Sequence, residues 1–288
     1  MPILSNIVIQ TPNHPKPFGA DIYYQPTGSP KPIVILCHGI RGFKDWGLWH
    51  PIALRFMQQQ FIFIKFNFSH NGVTLQNPLQ YDDLQAFANN NYSWETKDLH
   101  TLISWVQNHS THTIPPSEAN TNQIYIIGHS RGGGVALACA AADTRITKVA
   151  TLAAVDKLDF LWHNKPDMLQ QWQHDGVFYT LNTRTQQQMP IHFQMYLDYQ
   201  QNLPKFNLEQ LVPNITQPLL IVHGTADQAV PLSAANNLHQ WNKKSQLITI
   251  GGADHVFGGT HPYPHKHPTP HAQLATNAII QFFKQTTY

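Results

Sequence analysis

Ser130 stands between Gly128 and Gly132 in the run Gly128-His129-Ser130-Arg131-Gly132-Gly133-Gly134. A serine hydroxyl holds its proton at neutral pH. It becomes a nucleophile only beside a base, and the base needs a partner that fixes its tautomer. Two later blocks offer those groups: His223-Gly224-Thr225-Ala226-Asp227 and Gly252-Ala253-Asp254-His255. The order Ser130, Asp227, His255 is one of the known chain orders for acyl-transfer chemistry. A Gly-x-Ser-x-Gly pentapeptide alone arises by chance in about one chain in ten of this length. Context must therefore carry the assignment.

That context is a strand before the serine and a helix after it. Residues 123–127 are an apolar run, and Val135 to Ala142 is a small-residue run that reads as a helix. A sharp strand-to-helix turn strains the serine backbone and leaves no room for side chains two residues away, which Gly128 and Gly132 satisfy. Asp227 follows an apolar strand over 219–223, and His255 follows a strand over 245–250. All three then sit at carboxyl ends of strands, where open α/β sheets bind ligands. Asp254 is the rival carboxylate. Its position next to His255 in sequence turns its side chain elsewhere, so it is expected to shape the turn. His38, His129 and His223 are expected to support loops.

The oxyanion of a tetrahedral intermediate needs N–H donors. The backbone N–H of Arg131 is one, and the N–H of Ile40, in the loop after a buried strand over 33–37, is the other. Arg41 and Lys44 are left either to meet an anionic substrate group or to face solvent.

The remaining elements alternate. Residues 3–10 and 18–25 suit an antiparallel hairpin. A helix is expected over 49–59, a strand over 61–66, irregular chain over 74–92, and a helix capped by Ser93 that runs to about His109. A strand over 146–154 follows. Then the alternation stops, and residues 155–216 are rich in Trp, Phe, Tyr, Met and Gln. This stretch reads as a cap inserted into a core of residues 1–154 and 217–288. Residues 190–203 carry near-helical apolar spacing. The cap aromatics serve either the cap's own core or a substrate pocket. Helices are expected over 231–241 and 272–284. Strands alternating with helices imply an α/β fold with a mostly parallel sheet and helices on both faces.

Composition narrows the function. Of 288 residues 42% are hydrophobic, only 12% are charged, and the net charge is +2. No basic run suggests nucleic acid or an anionic membrane as partner. Cys37 and Cys139 read as small core residues rather than a disulfide. No signal-like or membrane-spanning stretch is evident, so a soluble cytoplasmic protein is expected. The prolines around His261, His265 and His267 disfavour a metal site, and no dinucleotide or phosphate fingerprint occurs. No cofactor and no metal are expected.

The blocks His38-Gly39-Ile40-Arg41-Gly42, Gly128 to Gly133, His223 to Asp227 and Gly252 to His255 resemble the serine α/β-hydrolases. They look most like the dienelactone-hydrolase and prolyl-oligopeptidase-like branch that includes bacterial cinnamoyl and feruloyl esterases. The resemblance implies an α/β-hydrolase fold and ester hydrolysis through an acyl-enzyme on a small-molecule ester. A serine at position 130 departs from the cysteine of dienelactone hydrolases proper. Absence of a propeller domain departs from the prolyl peptidases. An acyl-peptide or amide hydrolase, and a ligand-binding protein on the same scaffold, are the alternatives.

Overall fold

A computed structural model describes residues 3–12, 14–108 and 113–285. In chain order, β1 (Ile3–Ile9) and β2 (Phe18–Tyr23) form the expected antiparallel pair, with Ile9 opposite Phe18. They lead into β3 (Lys31–Cys37), α1 (Trp49–Gln58) and β4 (Ile62–Phe66). A short α2 (Leu84–Ala88) lies in the stretch expected to be irregular, because the Asp83 carboxylate accepts the Ala86 N–H and caps it. Next come α3 (Tyr92–Asn108), β5 (Ala119–His129), α4 (Arg131–Ala142) and β6 (Ile146–Leu152). Helix α3 is not capped by Ser93. Asn91 Oδ1 accepts the Trp94 N–H at 2.9 Å, so the helix starts earlier. Its expected end, His109, lies outside the described residues.

The chain leaves the sheet after β6. It forms α5 (Pro166–Asp175), a hairpin of β7 (Val177–Asn182) and β8 (Gln187–His192), then α6 (Gln194–Gln201), α7 (Leu203–Phe206) and α8 (Leu208–Leu211). The helical spacing expected from residue 190 is therefore correct only from Gln194. Met189 and Ile191 are buried while Gln188 is exposed, which is the period of a strand, and Val177 pairs with His192 across the hairpin. The core resumes with β9 (Leu219–Gly224), α9 (Leu232–Trp241), β10 (Gln246–Ile250) and α10 (Pro270–Lys284). Thr269 Oγ1 caps α10 by accepting the Ala272 N–H, so this helix begins two residues before its expected start.

The eight-stranded sheet has the order β1-β2-β4-β3-β5-β6-β9-β10. From β4 to β10 every pairing is parallel, and β1 and β2 run antiparallel at one edge. Buried strands alternate between two cores. Ile33, Ile35 and Cys37 join the layer under α3, α4 and α9. Val34 and Leu36 join the layer under α1 and α10, with Phe56, Ile279 and Phe283. This is the expected α/β arrangement with helices on both faces. Both cysteines are free and buried. Among the described residues no helix is long and apolar enough to cross a membrane.

Topology also fixes where the loops meet. Strand β3 lies between β4, which follows it, and β5, which comes later on the other side. The chain reverses its direction of travel across the sheet at β3, and the loops after β3 and β5 open a crevice between them.

Candidate active site

Ser130 occupies that crevice, between the last residue of β5 and the first of α4. Its backbone sits at φ 55°, ψ −124°, a region that side chains rarely adopt. The strain is held from several sides. Ser130 N–H donates to Leu152 O at 3.0 Å, and Ser130 O accepts from Gly133 N–H at 2.9 Å and Val155 N–H at 3.3 Å. The flanking glycines are sterically required: a Cβ on Gly132 would lie 2.5 Å from Cys37 O, and one on Gly128 would lie 2.5 Å from Gly132 O. These contacts explain why α4 starts at Arg131, earlier than Val135. The helix must pass its first turn against the ends of β3 and β5, where only glycine fits.

Asp227 and His255 come together at the ends of β9 and β10. His255 Nδ1 lies 2.9 Å from Asp227 Oδ2. The Asp227 side chain is fully buried, whereas His255 is partly open to the crevice. Asp227 Oδ1 also accepts the N–H groups of Ala229 and Val230, both at 2.9 Å. His223 Nε2 approaches Oδ2 at 3.3 Å and Val230 O at 2.9 Å. Burial alone would raise the Asp227 carboxyl. The hydrogen bonds from His223, His255 and Val230 outweigh it and hold the group well below the usual carboxylate range. Asp254 turns away and accepts the N–H groups of Val256 and Gly258, shaping the loop that carries His255.

Ser130 and His255 share one cavity of about 240 Å³, with Trp46, Trp49, Phe160 and Val230 among its walls. Among the described residues no hydrogen bond joins Ser130 Oγ to the imidazole. Such contacts are often long before substrate binds. Larger hollows exist, such as one of about 650 Å³ beside α3, but they lack this set of groups.

The loop after β3 presses against Ser130, since a Cβ on Gly39 would lie 2.9 Å from Ser130 Cβ. The next residue, Ile40, lines the cavity. Neither the Ile40 N–H nor the Arg131 N–H is used in a hydrogen bond among the described residues, and Arg131 is the first residue of a helix, where N–H groups lack intrahelical partners. Two neutral histidines hold these loops. His38 is lowered to about 4 by burial, and its Nδ1 donates to Gly39 O at 2.9 Å. Burial, then the neighbouring His255, lower His129 to about 3, and its Nε2 donates to His255 O at 3.0 Å.

Three placements differ from the sequence reading or were missed by it. Lys44 meets neither substrate nor solvent. It is buried, and its Nζ contacts Asp21 at 2.8 Å and Asp45 at 2.6 Å. The Arg131 side chain is not idle, since it pairs with buried Glu95 and lies over the Tyr92 ring, tying the elbow to α3. The sequence alone does not reveal this pair, because Glu95 and Arg131 are far apart along the chain. Most of the excursion's aromatics do not build a core of their own but join the one shared with the sheet, α3 and α4. Trp162, Trp172, Tyr199 and Phe206 are buried in the apolar core, and Phe160 reaches the cavity.

The sequence profile of the alpha/beta hydrolase family matches residues 34–273. No curated protein sequence matches the chain. Among solved structures, Est1E from Butyrivibrio proteoclasticus with bound ferulic acid is 17% identical, covers 96% of this chain and 97% of its own, and superposes with a TM-score of 0.70. The esterase domain of a Rhodothermus marinus protein is 18% identical over 98% of both chains, with a TM-score of 0.64. Alpha/beta hydrolase GrgF from Penicillium sp. sh18 is 18% identical over 99% of this chain and 98% of its own, with a TM-score of 0.69. At these identities the superpositions establish a shared fold.

Proposed function

The chain belongs to the alpha/beta hydrolase family, and from that premise we propose that it is a serine esterase that cleaves small-molecule carboxylic esters through an acyl-enzyme on Ser130. The observation that carries the reading is the meeting of four strand ends around one cavity: a strained Ser130, the His255–Asp227 hydrogen bond at 2.9 Å, and the Ile40 loop against the serine.

In this reading His255 takes the Ser130 proton as Oγ attacks the ester carbonyl. The carbonyl oxygen becomes an anion facing the Ile40 and Arg131 amides. The alcohol leaves with the proton from His255, and water then attacks the acyl-enzyme by the same route in reverse roles. Asp227 keeps the Nδ1–H tautomer and stabilises the imidazolium. No cofactor takes part in this scheme. Residues 155–216 act as a cap over a core of residues 1–154 and 217–288. The apolar walls suit a small acyl or aryl group, and the ferulate held by Est1E makes hydroxycinnamoyl esters an apt test class. The two buried free thiols accord with a cytoplasmic setting.

Hydrolysis of p-nitrophenyl esters from acetyl to decanoyl, and of methyl ferulate, tests the reading with wild type and Ser130→Ala side by side. Activity should fall at least about 10³-fold in the variant, with an unchanged circular dichroism spectrum. An active variant overturns the assignment. So does a folded wild type that cleaves no ester and leaves a fluorophosphonate unreacted.

A further inference from the structure

The hairpin of β7 and β8 reaches back over the loop that carries the Ile40 amide. Arg41 Nη1 donates to Leu181 O at 2.7 Å. The Arg184 guanidinium, in the turn of the hairpin, lies over the Phe43 ring at 5.6 Å and the Tyr81 ring at 5.9 Å. The Tyr81 hydroxyl donates to Arg41 O. Gln187 Nε2 on β8 donates to Tyr81 O at 3.3 Å. The segment from Arg41 to Phe43 is thus gripped at both ends by the hairpin, directly or through Tyr81.

That grip acts on a strained segment. Arg41 has φ 55°, a conformation that non-glycine residues keep only where surrounding contacts over-determine it. The turn is closed by a hydrogen bond from Gly42 N–H to Gly39 O at 3.0 Å. From the body of the protein the loop is held by Asn71 Nδ2, which donates to Gly42 O at 3.3 Å, and by Asn67 Oδ1, which accepts the Lys44 N–H at 2.7 Å. Ile40 lies between these anchored residues and the Gly39 backbone that abuts Ser130.

We propose that Arg41 and Arg184 are positioning residues through which the hairpin holds the Ile40 N–H against the developing oxyanion, so that the segment after β6 sets turnover as well as access. This rests on the reading of Ser130 as nucleophile and Ile40 as oxyanion donor. Arg41 and Arg184 act through the loop, since their guanidinium groups are spent on Leu181 O and on two aromatic faces.

The test uses the full chain with Arg41→Ala, Arg184→Ala and Arg41→Lys. Removing an oxyanion donor outright typically costs about 10²–10³ in turnover. Loosening one should cost part of that, so each alanine variant should lose about 10-fold in kcat with KM within about twofold. Phenylboronic acid, whose boron takes the Ser130 Oγ as a fourth ligand while the serine proton passes to His255, mimics the tetrahedral state. Its affinity should fall by the same factor as kcat. Arg41→Lys, which can still reach Leu181 O, should recover part of both. Amide hydrogen exchange over residues 39–43 should speed up in both alanine variants at unchanged Tm. A rise in KM at constant kcat, or unchanged exchange in this segment, overturns the proposal. The exchange measurement does not require ester turnover, so it separates this claim from the function it rests on. If wild type proves inactive on esters, the function reading falls, and the exchange result alone decides whether the hairpin holds the loop.

Discussion

Four groups converge on the Asp227 carboxylate: the Ala229 and Val230 amides, His255 Nδ1 and His223 Nε2. With its pKa held far below neutral, Asp227 stays ionised throughout the working pH range, so the acid limb of any rate profile cannot be its own. Asp227→Asn keeps the shape but presents an amide that can stabilise the wrong imidazole tautomer. Its expected effect is a loss of about 10²–10⁴ in kcat with little change in fold, read by steady-state kinetics and circular dichroism. Near-wild-type turnover in this variant would show that another group orients His255. Asp227 was legible in the sequence because it closes a short turn after an apolar strand, as His255 does after β10. The second imidazole was not. His223 lies inside β9 with no exposed surface, and it reaches Asp227 only because the chain turns sharply after Gly224. There a Cβ would meet Ala253 O at 2.2 Å.

Helix α4 shows how an element's ends decide its role. Its first residue offers a free amide beside Ser130, and its last turn is tied down by Asp143. The Asp143 carboxylate binds Arg145 and His100, the latter on α3 at 2.8 Å. Burial would raise this carboxyl, but the Arg145 and His100 hydrogen bonds lower it to about 2. Its folded pKa lies below its unfolded value, so the stabilisation is present at neutral pH and is lost as pH falls from about 4 towards 2. Asp143→Asn should therefore be less stable than wild type in urea at pH 6, and the gap should narrow near pH 3. A gap independent of pH would show that the ion pair is not the source. The buried core strands were readable because they are continuous apolar runs. The β7–β8 hairpin was not, because Tyr179 and Leu181 point outwards and Pro190 interrupts the alternation, leaving a pattern that mimics helical spacing. The glycine triple in α4 hid the start of that helix for a different reason. Glycine disfavours helix in isolation, and only the close approach of β3 and β5 makes it necessary.

Across the whole molecule, the edge of the sheet is joined to the loop that follows β3 by a buried charge cluster. Lys44 and Lys65 lie between Asp21 and Asp45, with Lys65 Nζ 2.5 Å from Asp45 and 3.2 Å from Asp21. Removing one member strands the others. Lys44→Met should cost about 3–5 kcal/mol of stability, measured by urea unfolding, and an effect below about 1 kcal/mol would show that Lys65 alone satisfies both carboxylates. No local pattern announces such a cluster, since Asp21 and Lys44 come from separate elements and each reads as an ordinary surface charge. The same large-scale layout has a further side. The chain leaves the sheet after β6 and returns in β9, and these two strands pair directly, Val149 beside Leu219. The whole excursion therefore begins and ends at neighbouring points of a framework whose strand ladder closes without it. Closing a loop of twice the length costs only about 0.6 kcal/mol more. Changes of length in this segment are consequently cheap in chain entropy, and a lineage can try new walls for the cavity so long as the residues that anchor the segment in the shared core, such as Leu158 and Phe206, and its hold on the loop after β3 are kept.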